Sequence, residues 1–138
     1  MSETTTDNHI MDYEFATIDT PLPPDWDAPA IEFDPDSNQV TIRRDMEIGD
    51  PNCREAALES TTYNTQTDTL TVVVYNAKTE NHPDNNPAAL GCALVMGGDS
   101  YRLVVRFSAS LPETVVITER LEEAGYVTTQ NTTATNPH

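Results

Sequence analysis

The apolar residues of this chain fall in short runs of β-branched and aromatic side chains, and that pattern constrains the fold more than any other feature. Leu70-Thr-Val-Val-Val-Tyr, Tyr101-Arg-Leu-Val-Val-Arg-Phe and Thr114-Val-Val-Ile-Thr-Glu suit a pleated, half-buried surface. Between the runs stand turn formers. Ile31-Glu-Phe and Gln39-Val-Thr-Ile-Arg-Arg flank Asp34-Pro-Asp-Ser-Asn, and Arg54 to Tyr63 and Leu70 to Tyr75 flank Asn64-Thr-Gln-Thr-Asp, which predicts two hairpins. The two runs starting at Tyr101 and Thr114, separated by Ser-Ala-Ser-Leu-Pro-Glu, predict a third strand pair. The polar stretch Asn76 to Pro87 is expected to be a surface loop, Cys92 to Met96 a short strand, and Gly97-Gly98 before Asp99 a turn. Six or seven short strands at this spacing predict an all-β fold, an immunoglobulin-like antiparallel β-sandwich with an extended N-terminal arm.

The ends differ from the middle. From Met1 to Asp36 there are ten acidic residues, no Lys or Arg, and prolines at 21, 23, 24, 29 and 35. Such a backbone favours extended, polyproline-like geometry. Residues 1–30 are therefore expected to be an acidic, proline-rich arm, 31–127 the sandwich domain, and 128–138 a frayed Thr/Asn-rich tail. The arm is unusual for a solvated tail because it carries Ile10, Met11, Tyr13, Phe15, Ile18, Leu22 and Trp26. These side chains pack either on the chain's own domain or on a neighbour, and Tyr13, Phe15, Ile18, Leu22 and Trp26 are the candidate partner-binding anchors.

Charge decides much of what the chain does not do. Seven basic residues, of which Lys78 is the only lysine, against 23 acidic ones give a net charge of -16 and a pI near 4.1. A phosphate backbone is repelled by such a field, so no nucleic-acid partner is expected. Molar salt shortens the Debye length to about 3 Å and removes most of the self-repulsion. The acid excess, the scarcity of lysine and the 20 threonines together describe the surface chemistry of a salt-adapted protein. No stretch approaches the roughly 20 apolar residues of a spanning helix, and the N-terminus lacks the basic start and apolar run of a signal peptide. Neither membrane insertion nor a visible leader is expected.

Cys53 and Cys92 lie beside predicted strands, placed as a disulfide would be. Closing that ring restricts the unfolded chain by about 4 kcal/mol in the loop-entropy account and implies an oxidising exterior. Asp34-Pro-Asp-Ser-Asn-Gln has carboxylates at alternating positions, as a calcium loop has, but lacks the glycine at its sixth place and reads as an Asp/Asn turn. His9, His82 and His138 are widely spaced and have no Cys or Glu at ligand spacing. No metal, cofactor or small-molecule substrate is expected. There is no Gly-x-Ser-x-Gly, two of the histidines fall in the ends, and the two paired glycines are too few for a phosphate cradle. No catalytic residue is predicted and the chain is not expected to be an enzyme.

The pattern Cys53-Arg-Glu-Ala-Ala-Leu-Glu-Ser, Tyr63-Asn, Thr69-Leu-Thr-Val-Val-Val, Cys92, Tyr101-Arg-Leu-Val-Val-Arg-Phe and Leu111-Pro-Glu-Thr-Val-Val-Ile-Thr-Glu resembles a family of haloarchaeal acidic β-sandwich domains over about residues 31 to 120. The resemblance implies a small sandwich with the cysteine pair, of surface or lipoprotein type, and brings no activity with it. A leaderless acidic sandwich with an arm also suits a haloarchaeal virus particle. The expectation is a structural or assembly protein of a halophilic system, such as a capsid decoration, spike or surface-lattice component, located in a virion or at the cell surface. It would dock on a protein partner or on copies of itself through the arm. The alternative is an envelope or extracellular binding module that recognises a ligand through its loops.

Overall fold

The structure is a computed structural model, and it describes residues 8–18, 30–88, 91–93, 97–123 and 126–138. Among the described residues there are eight strands: β1 Ile10–Ile18, β2 Ile31–Asp34, β3 Gln39–Gly49, β4 Arg54–Asn64, β5 Thr69–Lys78, β6 Gly97–Phe107, β7 Thr114–Glu123 and β8 Tyr126–Thr135. They form two four-stranded sheets, ordered β1-β6-β3-β2 and β4-β5-β7-β8. The all-β sandwich of the sequence reading is there, with more strands than the six or seven expected.

Both predicted hairpins form, and their turns share one device. The Asp34 carboxylate accepts from the Asp36 amide (3.1 Å) and the Ser37 hydroxyl (2.8 Å), while the Asn64 side-chain oxygen accepts from the Gln66 (2.9 Å) and Thr67 (3.3 Å) amides. Each turn closes on a left-handed residue, Asn38 or Asp68, both at φ 52°. Asn and Asp are the non-glycine types that tolerate this region. Of the carboxylates that looked like the start of a calcium loop, that of Asp34 holds the β2–β3 turn together.

The core is the inward phase of the alternation. Val40, Ile42, Met46 and Ile48 of β3 and Tyr101, Leu103, Val105 and Phe107 of β6 face Leu70, Val72 and Val74 of β5 and Val115 and Ile117 of β7. Here the expected third strand pair is corrected. β6 and β7 are not paired as neighbours; they lie in opposite sheets, and the chain crosses from one layer to the other between them. The intervening Ser-Ala-Ser-Leu-Pro-Glu is an arch between layers, with Leu111 buried beneath it. Sheet two is also not purely antiparallel. β5 pairs with β7 in parallel, Leu70 opposite Val115 and Val72 opposite Ile117, because the chain visits β6 in the other layer between them.

Further differences come from strand length. Asn76, Ala77 and Lys78 belong to β5, so the polar loop begins at Thr79 and not at Asn76. Gly97-Gly98 open β6 instead of forming a turn. A side chain at Gly97 would put its Cβ 2.5 Å from Pro51 Cγ and 2.6 Å from the Gly49 carbonyl, so the β3–β4 corner requires a bare backbone there. Cys92 and Ala93 are irregular, and residues 94–96 of that expected short strand lie outside the described residues. The segment expected to fray is strand β8, paired antiparallel to β7 along its whole length from Glu123–Tyr126 to Thr114–Thr135. Its threonines are β-branched and favour the strand that pairing with β7 offers them.

Candidate interaction surfaces

The arm's first half is an edge strand. β1 runs antiparallel along β6, with Tyr13 opposite Val105, Phe15 opposite Leu103 and Ile18 opposite Ser100. Phe15 points into the sandwich and stacks on Tyr101 with ring centroids 5.4 Å apart. On the outer face Asp12 accepts from Arg106 at 2.8 Å. Of the two sites left open for the arm's apolar residues, Ile10 and Phe15 pack on the chain's own core. Ile18 is half-buried, whereas Tyr13 and Met11 are exposed (50% and 63%). Leu22 and Trp26 lie outside the described residues.

Between β1 and β4, the edge strands of the two sheets, the sandwich is open. The groove there is about 740 Å³ and is lined by Tyr13, Phe15, Thr17, Glu55, Ala56 and Leu58. Among the described residues no strand pairs with the outer side of β1 or of β4, and the two edges flank an aromatic floor, which is the arrangement that accepts an added strand or loop.

On the other open side lies a smaller cleft, about 310 Å³, between the second half of β3 and β8. It exists because β2 spans four residues and pairs with Gln39–Ile42; the Arg43 amide still donates to the Ala30 carbonyl (2.8 Å), and beyond it β3 has no neighbouring strand on that side among the described residues. Its wall holds a triad that the sequence reading missed. Arg44 donates from Nε (3.0 Å) and Nη2 (3.3 Å) to the two oxygens of Glu119, and the Tyr101 hydroxyl donates to Glu119 Oε2 at 2.7 Å. Glu119 is 8% exposed. Burial pushes the Tyr101 phenol far above its usual range, with the Glu119 charge adding to it. Burial works against the Arg44 charge, but Glu119 more than offsets it and the guanidinium pKa rises. The three side chains form one ion-paired, hydrogen-bonded group that joins β3, β6 and β7.

Asn76 is the second missed polar residue. Fully buried, it donates to the Ile48 carbonyl of the opposite sheet (3.1 Å) and to the Glu122 carbonyl (2.8 Å), and accepts from the Glu122 amide (2.7 Å). It ties the sheets together and extends the β5–β7 ladder by one rung. A signal for both residues exists in the sequence: Asn76 continues the inward series Leu70, Val72, Val74, and Glu119 continues Val115, Ile117. A polar residue in the core phase must be bonded, and that phase pointed to both.

Cys53 and Cys92 are joined as a disulfide with Cα atoms 5.9 Å apart, pinning the 79–93 loop to the start of β4. Beside it the Asp50 carboxylate accepts from the Ala93 (2.6 Å) and Asn52 (3.0 Å) amides, which hold its pKa low. The histidines stand apart from one another. His9 Nδ1 meets Ser108 Oγ at 3.1 Å, His82 Nδ1 accepts from the Asp84 amide at 3.1 Å, and His138 closes the chain.

Comparison with protein-family models, curated proteins and solved structures gives no match to this chain.

Proposed function

We propose that the chain is a non-enzymatic assembly protein of a halophilic system, a virion or surface-lattice component that docks on a protein partner through the edge of β1. The observation that carries this reading is the β1–β4 groove, where half-exposed Tyr13 stands between two free sheet edges. An immunoglobulin-like use of the sandwich fits it: a rigid two-layer scaffold presents its edges while the core carries the stability. The aromatic side chain supplies contact area at low conformational cost. Chemical cross-linking of native material, followed by mapping of the linked peptides, tests the reading. The expected result is a linked species joined through β1 and β4 that disappears in Tyr13→Glu while the unfolding midpoint is unchanged. An identical linked species in the variant overturns it.

The halophilic part has its own support. Among the described residues Arg43, Arg44, Lys78, Arg106 and Arg120 are engaged in ion pairs with carboxylates, and with seven basic residues against 23 acids in the sequence a large excess of negative charge is left without a cation to pair with. Screening by salt therefore favours the compact state. The thermal unfolding midpoint is expected to rise from low salt to molar potassium or sodium chloride. A midpoint that is flat or falls removes the halophilic assignment.

A further inference from the structure

We propose that a second copy of this chain docks on the free edge of β8, pairing β8 with β8 antiparallel across a twofold axis and joining the two β4-β5-β7-β8 sheets into one. This deepens the assembly reading by naming a partner, and it rests on a different surface. β8 gives one side to β7, and among the described residues no strand covers the other. A ten-residue edge presents a row of unpaired amides and carbonyls, and proteins usually block such an edge with charge or proline. β8 has neither. Its sequence, Tyr-Val-Thr-Thr-Gln-Asn-Thr-Thr-Ala-Thr, is the one strand of the eight without a charged side chain.

Charge selects this edge and this partner. The other edges carry Asp12 and Glu14 on β1, Glu32 and Asp34 on β2, and Glu55 and Glu59 on β4. Two copies of a chain with net charge -16 repel, and self-pairing at any of those edges brings carboxylates together. Only at β8 do two copies meet without opposing charges. The sequence is also suited to pairing with itself. An axis normal to the sheet keeps each face on its own side, so residues of the same phase must be opposed. With the axis through Asn131, Thr129 stands opposite Thr133 of the second copy, Gln130 opposite Thr132, and Asn131 opposite its own counterpart. Thr–Thr pairs and facing amides are favourable cross-strand partners. The Thr129 and Thr133 side chains lie on the solvent side of the sheet, opposite Arg120 and Val116 of β7, and both residues are exposed.

The test is sedimentation equilibrium of the full chain across a concentration series in molar salt. The expected result is a monomer–dimer equilibrium that weakens at low salt. Thr129→Glu/Thr133→Glu opposes carboxylates twice across the axis and should weaken dimerisation roughly tenfold or more. Thr129→Lys/Thr133→Lys should do the same by itself, and a one-to-one mixture of the two variants should recover a dimer, a rescue that a folding defect cannot mimic. Circular dichroism and the melting midpoint of each variant check that the sandwich is intact. Tyr13→Glu should leave this equilibrium unchanged, so failure of the β1 docking reading and failure of β8 pairing are told apart. A wild-type chain that stays monomeric at every concentration in molar salt, or a Glu variant that dimerises as tightly as wild type, overturns the proposal.

Discussion

Glu119→Ala is expected to lower the unfolding free energy by about 3–5 kcal/mol, the cost of breaking a buried ion pair by removing one partner. Glu119 is the point at which three strands meet: it takes the Arg44 fork from β3 and the Tyr101 hydroxyl from β6 while standing on β7. Without it the guanidinium and the phenol are left with no acceptor in a wall 8% exposed at that residue. The Arg44 side chain keeps 17% exposure toward the cleft, so water can reach part of the stranded charge, which places the loss toward the lower end. The paired change Arg44→Met with Glu119→Leu removes both charges and fills the space, and it should recover most of the loss. Urea unfolding of the three proteins in molar salt measures this. If Glu119→Ala costs less than about 1 kcal/mol, the pair behaves as a solvated surface bridge and the buried geometry is wrong.

The second large effect is expected from the disulfide. Cys53→Ala/Cys92→Ala should cost about 4 kcal/mol, because the ring it opens spans 39 residues of sequence and contains the whole β4–β5 hairpin. In a domain of typical stability, about 5–15 kcal/mol, that is a large share. The same loss should appear when the native protein is reduced, and it should be larger at low salt, where the excess carboxylates already oppose the compact state. Alkylation without reductant, followed by mass measurement of protein from its native source, checks the bond directly. Modification of both thiols there would remove the bridge, and with it the argument for an oxidising location.

In the proposed assembly role these two effects have a common sense. A scaffold that offers β1 and β8 to partners needs its layers locked by means other than those edges. Asn76 and the Arg44–Glu119–Tyr101 triad tie sheet to sheet inside, and the disulfide ties the long loop to β4 outside.

The strand-forming runs, both hairpins with their Asp/Asn turns, the cysteine pair and the acid excess are legible in the residues alone. Each of these is local or compositional. Two-residue alternation shows where Val40, Ile42, Leu70, Val72 and Val74 must point. Asp34 and Asn64 make their turn bonds within three residues of themselves. What the alternation does not contain is which strand lies beside which. A strand with one buried face reads the same whether its neighbour is parallel or antiparallel, so the β5–β7 pairing and the placement of β6 and β7 in opposite layers came only from the tertiary structure. That Ile10–Ile18 and Tyr126–Thr135 are strands was hidden for a related reason: acid, proline and threonine content describes solubility, whereas an edge strand such as β1 or β8 needs a free sheet edge to bind to more than it needs burial. For β1 that edge is β6, more than 80 residues away in sequence, and no local rule connects Phe15 with Tyr101.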